Sequence, residues 1–287
     1  MANPNRVQVG RWVVDADLPG ELSASSLSEA DYDAVYLENH YRLLLLDADA
    51  TSRLQLYNEA YATLFAQWPP EDVPDRGVNE RIISMIRPWL ADRDVLELGC
   101  GAGGMAAAVA ELTRSFVGVD VDPKQLAVAH ARAPRATFVQ GTAPDLTLPF
   151  ARYDVVYCND FFEHLHVEDQ ASLIVRVRDA LRPEGWLILI SPNARFGPWD
   201  ISRTFRLRGQ SARGLHLGEQ SYIAWKGMLR EAGFRGRTLS PIIPARFTTS
   251  RRTWLDARIK GYLERLPLPA RVAGGCYISA VILAVQR

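Results

Sequence analysis

Eight consecutive residues, Glu97-Leu98-Gly99-Cys100-Gly101-Ala102-Gly103-Gly104, restrict this chain more than any other feature. They follow a short apolar run that ends at Leu98 and precede a helical pattern, so they read as the bend between a strand and a helix. Glycine reaches positive φ without a Cβ penalty and lets a ligand approach the backbone, while the free N–H groups of the helix behind it favour electron-rich atoms. From Val95 onward apolar runs alternate with helical periodicity. Phe116 to Val119, Thr137 to Val139, Asp154 to Tyr157 and Trp186 to Ile190 read as strands, with helices near 103–112, 123–133 and 168–181 between them. That alternation predicts an α/β fold, a doubly wound and mostly parallel sheet with helices on both faces.

The flanks are less regular. After an irregular stretch at 192–218 come a helix around Tyr222, Trp225 and Leu229, a strand near Phe234 to Leu239, a basic helix near 251–265 and a last apolar strand, Tyr277 to Val285. Upstream, Ser52 with Gln55 reads as a capping box opening a helix whose Leu54, Tyr57, Tyr61, Leu64, Phe65 and Trp68 share one face, stopped by Pro69-Pro70. A further helix from about Asn79 carries Ile82, Ile83, Ile86, Trp89 and Leu90 on one face. The organisation expected is a flexible arm at 1–30, a helical N-terminal lid at 31–78, and a ligand-binding domain at 79–287 with a substrate-loop insertion at 192–218.

Charge narrows the function. The 287 residues hold 33 basic and 33 acidic side chains, a balance that disfavours a protein that grips nucleic acid along its length. Residues 1–80 carry fourteen acids against five arginines and no lysine, a local charge of −9, so the remainder carries +9. Three widely separated cysteines form neither a disulfide framework nor a C-x-x-C zinc pair. No apolar run approaches the roughly 20 residues that span a bilayer, and a cytoplasmic protein is expected.

Gly99, Gly101 and Gly104 satisfy G-x-G-x-x-G, the dinucleotide pattern of a nicotinamide-binding oxidoreductase. Glu97 argues otherwise. A carboxylate just before the first glycine repels a pyrophosphate and suits a cationic ligand. Asp120, at the end of the next strand, is placed to accept hydrogen bonds from both hydroxyls of a ribose.

Val95 to Gly103, Asp120, Gly141 and the segment Tyr153 to Asp160 together resemble the class I S-adenosylmethionine-dependent methyltransferases over roughly residues 80–287. Within that class the chain resembles the ubiquinone-pathway type of small-molecule O-methyltransferase. The resemblance implies a Rossmann-like sheet of seven strands and S-adenosylmethionine as cofactor. Glu97, Gly99, Gly101 and Gly103, with Cys100 beside them, would line its methionine part; Asp120 would hold the ribose and Val121 flank the adenine. Where the family often has Gly-Asp to meet the adenine amine, this chain has Gly141-Thr142, so Thr142 and the backbone near Ala143 are left for that contact. Asn159, ending the fourth strand, completes the cofactor set.

The same strand runs into Asp160-Phe161-Phe162-Glu163-His164, at the sheet edge where doubly wound folds bind ligands. Histidine near its ordinary pKa suits proton acceptance at neutral pH. His164 is therefore the expected base, with Glu163 or Asp160 orienting it. Asp160, Glu163, His164 and the distant His216 also resemble the metal-binding set of small-RNA 2'-O-methyltransferases and ubiquinone-pathway enzymes, implying a divalent metal. His166 reads as a helix start, and His40 and His130 as structural. The segment up to His216 holds Arg195, Arg203, Arg206, Arg208 and Arg213 against one acid, Asp200, with Phe196, Trp199 and Phe205 as flat walls. Arginine grips carboxylate or phosphate bidentately. Arg195, Phe196, Trp199 and His216 are thus the expected substrate contacts.

These readings converge on a methyltransferase acting on a hydroxyl of a small-molecule acceptor, anionic or aromatic in character. The alternatives are a metal-assisted RNA 2'-O-methyltransferase, a nicotinamide-dependent oxidoreductase and a non-catalytic protein that binds an adenosyl ligand. Oligomeric state is not legible.

Overall fold

A computed structural model describes residues 6–15, 28–67, 78–200, 202, 211–241, 254–267 and 280–287. Trp68, the Pro69-Pro70 stop, Arg203, Phe205, Arg206 and Arg208 lie outside the described residues.

The segment read as a flexible arm contains a hairpin. β1 (Arg6–Val9) and β2 (Trp12–Asp15) pair antiparallel, and the backbone N–H of Arg11 donates to Glu29 at 3.1 Å. Next comes α1 (Glu29–Asp47), opened by a capping box in which the Ser28 hydroxyl accepts from Asp31 N–H and the Asp31 carboxylate accepts from Ser28 N–H. α2 spans Ala50–Gln67. Its start is capped by Asp49, whose carboxylate accepts from the Ser52 N–H at 2.8 Å. The expected Ser52–Gln55 box is replaced because the Gln55 side chain instead donates to Glu59.

From α3 (Val78–Leu90) the chain enters the sheet. β3 (Asp94–Leu98), α4 (Ala106–Ala110), β4 (Ser115–Asp120), α5 (Pro123–Arg132), β5 (Thr137–Gln140) and β6 (Tyr153–Asn159) follow in turn. After them come α6 (Val167–Ala180), β7 (Leu181–Pro192), α7 (Tyr222–Glu231), β8 (Thr238–Pro241), β9 (Trp254–Asp256), α8 (Arg258–Leu263) and β10 (Ala280–Gln286). The sheet order is β5-β4-β3-β6-β7-β10-β8-β9. The first five strands are parallel, β10 and β8 close the seven-stranded arrangement antiparallel, and three-residue β9 adds an edge. β9 and α8 occupy most of the stretch read as one basic helix.

Every residue of β3 is buried, as expected for a strand covered on both faces. Its side chains alternate between two cores. Leu96 and Leu98 join Val156, Cys158, Leu187 and Leu189 beneath α6 and α7; Val95 joins Val155, Tyr157 and Ile188 beneath α3, α4 and α5. The parallel register sets Leu98 beside Val119 and Cys158. Three strand ends therefore open on one edge, where Gly99, Asp120 and Asp160 emerge. Among the described residues no helix is long and apolar enough to cross a membrane.

Candidate active site

The glycine turn is folded back onto β4. Gly99 and Cys100 both donate backbone N–H bonds to the Val119 carbonyl, at 2.8 and 3.0 Å. Gly101 N–H donates to the Asp120 carboxylate at 2.8 Å, and Asp122 N–H to its other oxygen at 3.1 Å. Gly99 has φ 73°, and a Cβ there would stand 2.5 Å from the Phe161 ring, so backbone and neighbour both require glycine. Gly101 differs: at φ 50° a Cβ there would meet only the Gln125 Oε1, at an ordinary 3.8 Å.

Beside this turn opens a cleft of about 820 Å³, its mouth included. Gly99, Gly101 and Asp120 form one wall, Val121, Gly141, Thr142, Ala143 and Leu146 the next, and Asp160, Phe161 and His164 the far end. Tyr57, Tyr61 and Phe65 of α2 complete it. α2 is held in place from behind. Buried Arg53 donates to both oxygens of buried Asp169 on α6, at 2.8 and 3.0 Å. The Tyr57 hydroxyl donates to Asp169 at 2.9 Å and accepts from the His166 N–H at 2.8 Å.

One buried carboxyl lies directly under the turn. Glu97 is 4% exposed, and its Oε2 has no hydrogen-bond partner. Burial outweighs the lowering effect of the Tyr157 hydroxyl and, with Asp120 nearby, pushes its pKa up to about 8. A buried acceptor without a partner is costly; Glu97 itself is not on the cleft wall, which begins at Leu98 and Gly99.

The sequence profile of the methyltransferase domain family matches residues 95–185, from the strand before the turn through α6. The chain carries a class I methyltransferase domain. A probable S-adenosylmethionine-dependent methyltransferase of Mycobacterium tuberculosis is 36% identical over 194 residues, which are 67% of this chain and 66% of that protein. A probable S-adenosylmethionine-dependent methyltransferase of Mycolicibacterium smegmatis is 40% identical over 103 residues, 36% of this chain and 39% of that protein. The chain thus spans about two fifths to just under two thirds of these relatives. A crystal structure of an S-adenosylmethionine-dependent methyltransferase from Mesorhizobium loti shares the fold, with TM-score 0.52 and 20% identity over 74% of this chain and 99% of that one.

The methyltransferase domain brings nine of the expected site residues onto the cleft: Gly99, Gly101, Asp120, Val121, Gly141, Thr142, Ala143, Asp160 and His164. Others stand elsewhere. Cys100 packs in the core and burial raises its thiol pKa. Gly103 serves packing, because a Cβ there would meet the Ala129 backbone at 2.9 Å. Asn159 is not on the cleft wall; its amide donates to Asp160 at 3.3 Å.

At the cleft's far end the cluster is partly as expected. Ligand atoms of Glu163, His164 and His216 lie within 4.8 Å of one another, and the two imidazole rings meet edge to face at 4.9 Å. Glu163 is fully buried with neither carboxylate oxygen hydrogen-bonded, and His164 Nδ1 is likewise buried without a partner. Asp160 stands outside that convergent trio. It holds φ 49°, a sparsely populated conformation for a residue with a Cβ, and burial raises its carboxyl pKa. Burial, then His216, drives His164 down to about 3. The expectation of a base near its ordinary pKa is therefore corrected: this imidazole stays neutral throughout the physiological range.

His216 is fixed by its own neighbours. Its Nδ1 bonds Glu219 at 2.8 Å and its carbonyl accepts from Arg42 of α1 at 2.8 Å. Burial works against the Glu219 charge, but His216 and the Trp199 N–H outweigh it and hold the carboxyl low. The expected substrate contacts Arg195, Phe196 and Trp199 are not on the cleft wall. Arg195 borders a separate groove with Ile223 and Arg265, Phe196 packs on the core, and the Trp199 indole N–H donates to the Asn193 carbonyl at 2.9 Å. Loop direction, which composition does not encode, decides this.

Sequence reasoning missed Phe65, Leu98, Val119, Leu146, Phe161 and Leu165 as cleft residues. A signal existed for the α2 contribution: Arg53 interrupts an apolar helical face one turn before Tyr57, and a cation on such a face needs a buried partner.

Proposed function

We propose that this chain methylates a hydroxyl of a small-molecule acceptor, with S-adenosylmethionine as donor. The observation that carries the reading is Glu97, a buried carboxyl with a partnerless oxygen under a glycine turn, next to an aspartate set for a ribose. That donor set fits a cationic nucleoside better than a pyrophosphate, which disfavours the nicotinamide alternative. When bound, S-adenosylmethionine supplies a methyl on a positively charged sulfur, and the acceptor oxygen displaces the sulfur in line as the C–S bond breaks.

Methyl transfer to a hydroxyl needs alignment, dryness and somewhere for the proton to go. Tyr57, Tyr61 and Phe65 give the cleft an aromatic wall. His164, neutral through burial, accepts the hydroxyl's hydrogen bond on a ring nitrogen and takes its proton as the new C–O bond forms. A protonated ether is a far stronger acid than even this imidazolium, so the transfer runs downhill. Hydroxyl as the accepting group is supported by a ubiquinone biosynthesis O-methyltransferase of Leptothrix cholodnii, 31% identical over 137 residues, 44% of this chain and 57% of that protein.

A second reading rests on Glu163, His164 and His216. Their convergent ligand atoms and the partnerless Glu163 oxygens fit a divalent cation. Bound there, such an ion supplies Lewis acidity to the acceptor hydroxyl.

The test is incubation with methyl-labelled S-adenosylmethionine and a fractionated small-molecule extract, with and without exhaustive chelation. Label in an ether product supports the reading. Donor binding with no labelled product in any fraction points instead to an adenosyl-ligand-binding protein, and activity that survives chelation removes the metal.

A further inference from the structure

The base-binding end of the cleft contains a hydrogen-bond pair that links the N-terminal helices to the sheet. Asp120 is the ribose acceptor in the proposed reading, so the base lies beyond it, between Val121 and the corner Gly141–Ala143. That corner is rigid. Gly141 N–H donates to the Asp120 carbonyl at 2.9 Å, Asp145 N–H to the Thr142 carbonyl at 3.0 Å, and the Arg176 guanidinium to the Ala143 carbonyl at 3.0 Å.

The one side-chain hydroxyl on this corner belongs to Thr142. It is engaged from outside the cleft by Asn58 of α2, whose amide nitrogen donates to Thr142 Oγ1 at 3.1 Å while the Thr142 hydroxyl reaches Asn58 Oδ1 at 3.3 Å. The amide's orientation is set independently, because the same nitrogen donates to the Leu54 carbonyl at 2.8 Å. Asn58 Oδ1 is therefore the face left for the threonine proton. A hydroxyl has one proton and two lone pairs. With that proton turned toward Asn58, Thr142 presents only an acceptor to the ligand.

Resting on the S-adenosylmethionine reading, we infer that Asn58 is a positioning residue for base specificity: it polarises Thr142 so that the cleft selects a 6-amino purine and rejects a 6-oxo purine. An exocyclic amine donates to the waiting oxygen. A 6-oxo group sets two acceptors against each other and leaves both unsatisfied, the kind of mismatch that discriminates strongly. The lid helix thus reads the base through a neighbour it does not share with the donor's sulfur end.

The experiment compares binding of S-adenosylhomocysteine and S-inosylhomocysteine to the full chain. The wild-type protein should favour the adenosyl compound by about tenfold. Asn58→Leu frees the threonine proton to donate and should bring the two within about twofold; Thr142→Val should do the same by removing the hydroxyl. Asn58→Asp, which can only accept from Thr142, should keep the wild-type preference. An undiminished preference in Asn58→Leu and Thr142→Val, with S-adenosylhomocysteine still bound, overturns the inference and leaves the donor assignment standing. Failure of the wild-type protein to bind S-adenosylhomocysteine removes the donor assignment and the inference together.

Discussion

Arg53 of α2 and Asp169 of α6 are both buried and face each other through two hydrogen bonds, at 2.8 and 3.0 Å. The pair sits one helical turn from Tyr57, which lines the cleft and shares the same carboxylate. It therefore fixes the N-terminal helices to the sheet at the point where they cover the ligand. Removing one partner of such a pair strands the other's charge and costs about 3–5 kcal/mol. Arg53→Met should lower stability by that amount in urea unfolding and weaken S-adenosylhomocysteine binding, whereas the exposed Arg135–Glu111 pair should be replaceable for less than about 1 kcal/mol.

Glu38 of α1 gives this seam a pH dependence. Its carboxylate accepts from the Ser202 hydroxyl at 3.0 Å, and burial together with Asp200 pushes its pKa up to about 8 from an ordinary 4.5. A carboxyl raised on folding contributes stability that is fully present below its unfolded value and is lost as pH rises through the folded one. The melting temperature should therefore fall as pH rises from about 4.5 to about 8 and level off above that. In Glu38→Gln that slope should flatten, and an unchanged slope assigns the pH dependence to another group.

Three of the turn's four glycines should fail in different ways. Gly103→Ala drives a methyl into the Ala129 backbone and should cost stability with little change in affinity per folded molecule. Gly101→Ala meets only the Gln125 Oε1, at 3.8 Å, so its φ of 50° sets a cost of about 1–2 kcal/mol, and because Gly101 lines the cleft that strain falls on the ligand wall. Its S-adenosylhomocysteine affinity should fall by more than the stability change explains. Gly99→Ala collides with Phe161 and should harm both. Thermal melts paired with calorimetric binding separate the three.

His164 should matter to turnover more than to donor binding. His164→Ala removes the neutral acceptor at the cleft's far end and should lower kcat by about a hundredfold while S-adenosylhomocysteine affinity changes little. Because burial holds His164 near 3, activity should show no rise through pH 6 to 7 from this group. A kinetic pKa near its ordinary value that vanishes in His164→Ala contradicts this assignment.

Local features were the legible ones. The glycine run after Leu98 marks a strand-to-helix bend by itself, and the alternation of strand and helix implies the parallel order that sets this bend beside the end of β4, so both could be placed without coordinates. His216 entered only through resemblance; its approach to His164 depends on Arg42 of α1 holding its carbonyl and on Glu219, three residues along the same loop, holding its ring. Arg195, Phe196 and Trp199 were assigned to the substrate because composition carries no direction, and the loop turns them away. The hairpin at 6–15 was hidden by the polar serines after it, although Val7, Val9, Val13 and Val14 flank Gly10-Arg11.

Protons released on donor binding report directly on the buried carboxyl of Glu97 below the glycine turn. Glu97, held near 8 when empty, is largely protonated at neutral pH, and a cation seated above it must drive that proton off. Calorimetric titration with S-adenosylmethionine at neutral pH, in buffers of different ionisation enthalpy, should therefore show net proton release and an affinity that rises toward about pH 8. Glu97→Gln should abolish the proton release and weaken binding by about tenfold or more. Equal affinity and equal proton release in wild type and Glu97→Gln would contradict the assignment of this carboxyl to a sulfonium nucleoside.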